Sequence, residues 1–181
     1  MGRVVPLELL AEAVAAERAA GRRIVLTNGC FDLLHVGHVR ALQACRRLGD
    51  VLVVGVNADD SVRRLKGPGR PYVPAAERAE VLAALGAVDL VAVFPEPTAE
   101  RLAALVRPDV YAKGADYARG GPGGPRGAEI DAARLPEAAV VRSHGGQVVL
   151  LPLVQSRSSS GLAARIAAAH AAPTGMPPEP A

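Results

Sequence analysis

Two histidines, His35 and His38, lie three residues apart, and Gly37 directly precedes the second. A β-branched, apolar run at residues 24–26 comes before them, and apolar residues recur at helical spacing from Val36 to Cys45. This pattern predicts a strand, a short loop and the first turn of a helix. Such a turn presents unpaired backbone N–H groups and the positive end of the helix dipole. Because glycine lets a bulky anion approach the backbone, the pattern indicates a phosphate-binding site.

Two other interpretations of the histidine pair stay open at this point. The pair could bind a metal ion together with Cys30 and Asp32, although no second cluster with ligand spacing completes a tetrahedral site. The two rings could also be ordinary side chains on a helix surface. The strand before the pair and the helix after it favour the phosphate interpretation.

Strands and helices alternate along the rest of the chain. Strands are predicted at residues 24–27, 51–56, 88–94, 109–112 and 147–151, and helices at 6–20, 37–47, 75–85, 99–106, 136–142 and 158–170. Residues 61–74 are predicted to form a basic loop. The alternation predicts a single α/β domain built on a Rossmann-like, doubly wound parallel sheet with right-handed crossovers.

Polar and glycine-rich segments follow four of these strands directly. They are residues 27–38, 57–59, 113–117 and 152–160. In parallel sheets, ligands bind at the carboxyl ends of the strands, near the switch in strand order. We therefore expect these four segments to meet at one rim of the sheet.

The chain is expected to divide into three parts. Residues 1–21 form an added N-terminal helix, residues 22–170 the domain, and residues 171–181 a Pro-rich, disordered tail. Residues 120–127 are too rich in glycine and proline for a regular element. A tolerated insertion is favoured there over a substrate lid.

Composition argues against several classes of function. The net charge is only +3, the arginines are scattered and aromatic residues make up 3%, so a nucleic-acid partner is not supported. The chain has no apolar stretch long enough to span a membrane and no signal-peptide core, so we expect a cytoplasmic protein without a membrane partner. Two cysteines do not make a disulfide framework.

Residues 28–38, Asn-Gly-Cys-Phe-Asp-Leu-Leu-His-Val-Gly-His, resemble the signature of the cytidylyltransferase-like nucleotidyltransferase superfamily, whose hallmark is His-x-Gly-His. More narrowly, the chain resembles the heptose-1-phosphate adenylyltransferases, which occur alone or fused to a sugar kinase. The similarity continues through residues 54–59, 64–67, 77–78, 113–117 and 158–160. It covers most of the span from Arg22 to His170.

The resemblance implies an enzyme of nucleotide-sugar biosynthesis. It would condense D-glycero-D-manno-heptose 1-phosphate with ATP to give ADP-heptose and pyrophosphate. The alternative enzyme is a cytidylyl- or guanylyltransferase acting on another sugar or polyol phosphate. Related cytidylyltransferases carry an arginine where this chain has Leu153, which weakens the case for cytidine, although Arg157 could substitute. A non-catalytic nucleotide-binding module is a third possibility, against which the intact His35, His38 and Lys66 count.

The resemblance also implies roles for particular residues. The catalytic residues would be His35, His38 and Lys66, with Lys66 bridging the nucleotide and acceptor phosphates. The nucleotide-binding residues would be Thr27, Asn28, Gly29, Cys30, Phe31, Gly37, Arg78, Lys113, Gly114, Asp116, Ser158, Ser159 and Ser160; the substrate-binding residues would be Asp32, Asn57 and Lys66.

Simpler interpretations compete for five of these residues. Lys66 could be a solvated loop lysine, Arg78 a surface arginine in the middle of a helix, and the three serines an ordinary helix cap. The resemblance further implies Mg²⁺, carried mainly by the nucleoside triphosphate rather than by a protein metal site. It also implies a homodimer.

Overall fold

One parallel sheet forms the centre of the protein. The computed structural model describes residues 2–118, 130–152 and 158–171. The strands of this sheet are β1 (Arg3–Val4), β2 (Ile24–Gly29), β3 (Val51–Asn57), β4 (Leu90–Phe94), β5 (Val110–Gly114) and β6 (Gln147–Leu151). Their order is β1-β4-β3-β2-β5-β6, and every neighbouring pair is parallel. The predicted Rossmann-like α/β fold is confirmed.

Helices cover both faces of the sheet. They are α1 (Leu7–Ala19), α2 (Val36–Arg46), α3 (Asp59–Lys66), α4 (Ala75–Ala83), α5 (Glu100–Val106), α6 (Glu137–Ser143) and α7 (Ser159–Ala171), with a 3-10 turn at Ala115–Tyr117. Helices α1, α5 and α6 pack with one set of strand residues, and α2 and α4 pack with the alternate set. Because both faces are covered, β3 is buried at every position, which explains its continuous apolar sequence.

The strand order reverses between β2 and β5. From β2 the sheet runs to β3, β4 and β1 in one direction, and to β5 and β6 in the other. The crossovers therefore leave β2 and β5 to opposite sides, and a crevice opens beyond the carboxyl ends of these two strands. The polar segments predicted to share one rim start at the ends of β2, β3, β5 and β6.

The predicted basic loop over residues 61–74 is wrong in its first part. Residues Asp59–Lys66 form helix α3, and the loop begins only at Gly67, whose φ of 92° ends the helix. The acidic pair Asp59 and Asp60 stabilises the positive end of the helix dipole, while the basic residues lie in the last turn. Val62 is fully buried and anchors one face of the helix.

The strand predicted at residues 147–151 is confirmed as β6, and the other predicted strands and helices differ by one or a few residues at their ends. The edge strand β1 is not predicted, because residues 1–21 are expected to form only a helix. The predicted insertion at 120–127, together with Leu153, Arg157 and residues 172–181 of the predicted tail, lies outside the described residues. The division into three parts stays a prediction. No helix in the described ranges is long and apolar enough to cross a membrane.

A substitution at Gly55 tests how tightly the sheet packs against α5. A Cβ at Gly55 would lie 2.3 Å from Leu102 Cδ2 and 3.1 Å from Asn28 Cβ. We expect Gly55→Ala to lower the free energy of unfolding by about 1–3 kcal/mol through overpacking. Gly86→Ala is the matched control, because no atom lies within 4 Å of its added Cβ, and urea unfolding should show a change of at most ~0.5 kcal/mol. Equal losses in the two variants would contradict this packing.

Candidate active site

A cleft of about 1190 Å³ opens at the carboxyl ends of the central strands. Single-ligand pockets commonly measure ~300–1,000 Å³, so the cleft has room for two small substrates. The predicted residues that line it are Thr27, Asn28, Gly29, Cys30, Phe31, His35, Gly37, His38, Asn57, Lys66, Lys113, Gly114, Asp116, Ser158 and Ser159. Asp32, Arg78 and Ser160 do not line it.

His35 and His38 lie at the start of α2. His35 is the N-cap residue, and its Nδ1 accepts a hydrogen bond from the Gly37 N–H at 3.1 Å. Because Nδ1 is the acceptor, a neutral His35 ring carries its proton on Nε2. The two rings stack with centroids 4.0 Å apart and an interplanar angle of 22°. The helix start thus presents two imidazoles to the same cleft.

The electrostatic environment keeps His38 neutral at pH 7. Its pKa is lowered to about 4, mainly by burial and to a lesser extent by the neighbouring charges of His35 and Lys66. The Nδ1 atom of His38 is buried without a hydrogen-bond partner. The edge of the Phe31 ring packs against His38, with ring centroids 5.5 Å apart. A polyanion beside this pair would favour protonation, since it would oppose the causes that lower the pKa.

Two lysines flank the histidines. Lys66 is the last residue of α3 and is exposed at the mouth of the cleft, before the flexible backbone of Gly67. Lys113, in β5, is buried to 8% exposure, and burial lowers its pKa. Its Nζ donates to the main-chain oxygen of Asn28 at 3.3 Å and to Asn28 Oδ1 at 3.1 Å. The cleft therefore holds one exposed lysine, Lys66, at its mouth and one buried, hydrogen-bonded lysine, Lys113.

The serines at the start of α7 combine two roles. Ser158 Oγ accepts a hydrogen bond from the Gly161 N–H at 3.0 Å, which is the helix-cap interaction that competed with a binding role. Ser159 Oγ donates to the Leu33 carbonyl at 3.1 Å and joins α7 to the loop after β2. Both residues nevertheless line the cleft.

The Asp32 side chain does not line the cleft and instead holds a neighbouring loop in place. Its side chain is buried, forms an ion pair with Arg70, and accepts hydrogen bonds from the N–H groups of Tyr72 at 2.6 Å and Val73 at 3.2 Å. Burial alone would raise the pKa of Asp32, but the bonds from Arg70, Val73 and Tyr72 outweigh it and lower the pKa. Asp32 therefore fastens the segment after α3, and the geometry does not present its carboxylate to a sugar.

Arg78 is neither on the surface nor at the cleft. It is 1% exposed, and Nε donates to the Val73 carbonyl at 2.8 Å. Nη1 donates to the Cys30 carbonyl, and Nη2 to the Asn57 carbonyl at 2.9 Å and to Asp59 Oδ1 at 2.7 Å. A direct contact with phosphate would require these bonds to break. The geometry assigns Arg78 to positioning the loops rather than to touching the nucleotide.

Sequence reasoning missed part of the cleft wall. Tyr117, Arg134 and Glu137 line the cleft beside Lys113. The Lys113 Nζ lies 4.6 Å from the centre of the Tyr117 ring, and Arg134 Nη1 donates to the Asp116 carbonyl at 2.7 Å. Tyr117 could have been found from its place in the matching segment 113–117. No local pattern marks Arg134 or Glu137, because only the fold brings α6 to β5.

The site can hold anions, and the described residues offer little to a metal. Among residues 2–118, 130–152 and 158–171, no group of three or more His, Cys, Asp or Glu side chains could hold a metal ion. The cleft instead combines imidazoles, two lysines and the starts of α2 and α7. That set suits a chain of phosphates.

Comparison with known proteins yields one family. The family model described as "Cytidylyltransferase-like" matches residues 26–160. The chain is 54% identical over 156 residues to the "Bifunctional protein HldE" of Streptomyces coelicolor, covering 86% of this chain and 31% of that protein. It is 46% identical over 159 residues to the "Bifunctional protein HldE" of Trichlorobacter lovleyi, covering 88% of this chain and 30% of that protein. The chain thus spans about a third of the length of the curated relatives it matches.

A solved structure has the same fold. It is the crystal structure of the lipopolysaccharide core biosynthesis protein from Thermoplasma volcanium GSS1. The TM-score is 0.57 at 25% sequence identity, and the match covers 76% of this chain and all of that one. The similarity supports the parallel-sheet architecture.

Loss of the Arg78 guanidinium should destabilise the protein. Arg78→Met leaves three buried or half-buried carbonyls and Asp59 without their cation, so we expect the free energy of unfolding to fall by about 3–5 kcal/mol. The control is Arg101→Met, which removes the ion pair between the exposed Arg101 and the half-buried Glu96 and should cost at most ~1 kcal/mol. Urea unfolding of both variants measures the difference. Similar losses would show that Arg78 does not hold the loops.

His38 should make the stability of the nucleotide-free protein depend on pH. Unfolding returns its pKa from about 4 to 6.5, so between these values the unfolded chain binds the proton first. The free energy of unfolding should therefore fall as the pH decreases from 6.5 towards 4, by up to about 1.4 kcal/mol per pH unit. In His38→Gln this contribution is absent, so urea unfolding at stepped pH should give a flatter curve. Parallel curves for the two proteins would refute the neutral, buried ring.

Proposed function

This chain belongs to the cytidylyltransferase-like family, and from that premise we propose that it is a sugar 1-phosphate adenylyltransferase. It condenses D-glycero-D-manno-heptose 1-phosphate with ATP and releases ADP-heptose and pyrophosphate. The observation that carries the proposal is the convergence of the stacked His35–His38 pair, Lys66 and Lys113 in one cleft. Identity of 54% to an HldE protein and the resemblance of residues 64–67 and 113–117 support the heptose assignment.

The reaction proposed is a direct transfer. An oxygen of the sugar phosphate attacks the α-phosphorus of ATP, a new P–O bond forms, and the bond to the leaving pyrophosphate breaks. The attacking phosphate is already nucleophilic, so the protein's task is to align two anions and to stabilise the charge that develops between them. No covalent intermediate with the chain is needed.

The start of α2 is the site proposed for the phosphoryl group. With its Nδ1 occupied by the Gly37 N–H, His35 directs its Nε2 proton away from the helix start, where it can donate to a phosphoryl oxygen. His38 acts beside it, and the helix dipole favours the negative charge. Since both rings are half-buried, their hydrogen bonds act in a poorly solvated space, where they are stronger than in water.

The two lysines are proposed to bind different phosphates. Lys113 is fixed at the floor by Asn28 and meets the nucleotide. Lys66, at the end of α3, has the exposure and reach to contact both the triphosphate and the sugar phosphate. Its ammonium would neutralise the two anions as they approach each other.

Mg²⁺ is proposed to enter with the nucleoside triphosphate, whose oxygens and water supply its ligands. The described residues contain no cluster suited to holding it, so we assign it no protein ligand. When bound, the ion would neutralise charge on the leaving pyrophosphate. The cytoplasmic location, the homodimer and the absence of nucleic-acid and membrane partners stay predictions from the sequence.

The proposal is tested with a matrix of nucleoside triphosphates and sugar 1-phosphates, scored by pyrophosphate release. We expect ATP with heptose 1-phosphate to give the highest kcat/KM. Lys66→Gln should lower kcat by about 10²–10³-fold, because it removes a cation from the reacting phosphates.

Arg63→Gln is the control for Lys66→Gln, since Arg63 lies exposed on the same helix and pairs only with Asp60 among the described contacts. Its kcat should match that of the unmodified protein. Turnover with CTP or GTP and another sugar or polyol phosphate, but not with ATP and heptose 1-phosphate, would replace the assignment with the alternative enzyme. Full activity in Lys66→Gln would reject the role of Lys66.

A further inference from the structure

A second cavity, of about 750 Å³, lies at the opposite end of the sheet from the cleft. It is lined by residues that lead into β2, β5 and β6 and by residues at the ends of α1, α5 and α6. No described residue lines both cavities. Its volume is within the ~300–1,000 Å³ that is common for single-ligand pockets. The proposed transfer reaction makes no use of it.

The charge that lines this cavity is strongly positive. The described lining residues include one carboxylate, that of Asp109, and four arginines, which are Arg18, Arg22, Arg23 and Arg107. Asp109 Oδ2 already accepts a hydrogen bond from the Ile24 N–H at 2.7 Å. A guanidinium presents N–H groups in a planar fork that matches the oxygens of phosphates and carboxylates. The cavity therefore favours an anion with several charges.

Three of these four arginines have no acidic partner among the described residues. Arg22 forms an ion pair with Glu17 at 2.6 Å. The other described ion pairs include none of the arginines of this cavity. Like charges that share a cavity repel one another, and solvent screens this repulsion only in part. An anion bound among them would replace the repulsion with attraction.

Helix capping explains part of this charge. Basic side chains stabilise the negative end of a helix dipole, and three helices end at this cavity. Arg18 Nη2 donates to the carbonyls of Val106 at 3.3 Å and Arg107 at 2.7 Å, and so caps α5. Capping does not explain Arg23, which precedes a strand. Neither the Arg23 nor the Arg107 guanidinium has a hydrogen-bond partner within the described part of the chain.

Arg107 occupies a backbone position at which glycine is the usual residue. It directly follows α5 with φ 47° and ψ 57°, in the left-handed region. Glycine adopts this conformation without the steric cost that a Cβ atom brings. The end of α5 thus combines a strained backbone with a guanidinium that forms no described hydrogen bond. Strain that is retained in this way is characteristic of functional sites.

His144 adds an imidazole to the wall of the cavity. It directly follows α6, and its Nε2 atom is buried without a hydrogen-bond partner among the described residues. Burial lowers the pKa of His144, Arg107 and Arg18 lower it further, and Asp109 acts in the opposite direction. An anion beside the arginines would oppose their effect and raise this pKa. The ring can therefore report whether the cavity is occupied.

We propose that this cavity is a second anion site, which binds a small molecule with two or more phosphate groups through Arg23 and Arg107, with Arg18 and His144 beside them. A phosphate group carries more charge and more acceptor oxygens than a carboxylate, so it offsets several arginines better. The site is distinct from the cleft and does not depend on the proposed function.

Histidine NMR can observe both cavities in one titration. The chain has four histidines: His35 and His38 line the cleft, His144 lines the second cavity, and His170 is on α7. Single His→Gln substitutions assign their ring signals. Inorganic pyrophosphate is the probe, added at constant ionic strength, and NaCl is the reference salt. We expect pyrophosphate to move the His144 titration to higher pH along a saturating curve, while His170 stays in place.

A response of His35 and His38 without one of His144 would confine the anion to the cleft and overturn the second site. A His144 response that does not saturate, or that NaCl reproduces, would indicate an adventitious ion only and would also overturn it. The converse result, a saturating response of His144 alone, would support the second site and count against phosphate binding in the cleft.

Arg107→Gly separates binding from folding. It removes the guanidinium and also the steric cost of the left-handed backbone, so urea unfolding should show no loss of stability. The affinity for pyrophosphate measured at His144 should nevertheless fall about 10-fold or more, because a charge-assisted hydrogen bond is lost. The response of the cleft histidines should persist. An unchanged affinity at His144 would overturn the proposal.

Two further variants complete the test. Arg23→Gln keeps the backbone of β2 and should also weaken the His144 response about 10-fold or more. Arg142→Gln is the matched control, because Arg142 is exposed in the last turn of α6, two residues before His144, but does not line the cavity. Its affinity should match that of the unmodified protein. Equal losses in Arg142→Gln and Arg23→Gln would show a general charge effect and overturn the assignment.

Discussion

One buried guanidinium determines the shape of the cleft. Arg78 donates to the carbonyls of Cys30, Asn57 and Val73, which lie directly after β2, at the end of β3 and after α3. Carbonyls that leave the sheet have no strand partner, and each needs a donor if water is excluded. A single planar cation with five N–H groups meets this need for three segments at once, which a lysine could not do. The histidines, the start of α3 and the loop after Lys66 are therefore positioned from a common point. The Asp32–Arg70 pair fastens the last of these segments a second time.

The cleft concentrates nitrogen donors at a cost to the empty protein. His38 is held neutral, and Lys113 is buried against the oxygens of Asn28 and the ring of Tyr117. These arrangements lower the stability of the nucleotide-free state, but they leave donors already oriented when a polyanion enters. A ligand that binds the folded state alone stabilises it by mass action, so under the proposed function a bound triphosphate would offset the cost of the empty site. The same features would then favour a chain of phosphates over an uncharged ligand.

The sequence predicts most of the strands and helices, but it does not predict the buried contacts that hold the site residues in place. The strands and helices follow from local signals, such as the continuous apolar sequence of β3 and the glycine that ends α1. The family motifs identify the two histidines and the two lysines. Helix α3 is missed because its arginines and the Gly-Pro sequence after it look like a solvated loop; only the fold shows that Val62 is buried. Arg78 and Asp32 bond to residues 38–48 positions away, and Tyr111 to Glu137 across 26. Such partners depend on the crossovers of the chain, which no local pattern contains.

The reversal of strand order brings donors to the cleft from both faces of the sheet. The histidines lie at the start of α2, on one face of the sheet, while Lys113 points to the other face with Tyr111, which contacts Glu137 of α6. An anion can contact both sets only by lying across the carboxyl end of β2, where Gly29 and Cys30 line the cleft. Under the proposed function, a chain of phosphates would lie across this strand end. Lys66, at the end of α3, is exposed at the mouth of the cleft, where it would contact both this chain and the sugar phosphate. The topology of the sheet would therefore place the nucleotide, and Lys66 would join it to the second substrate.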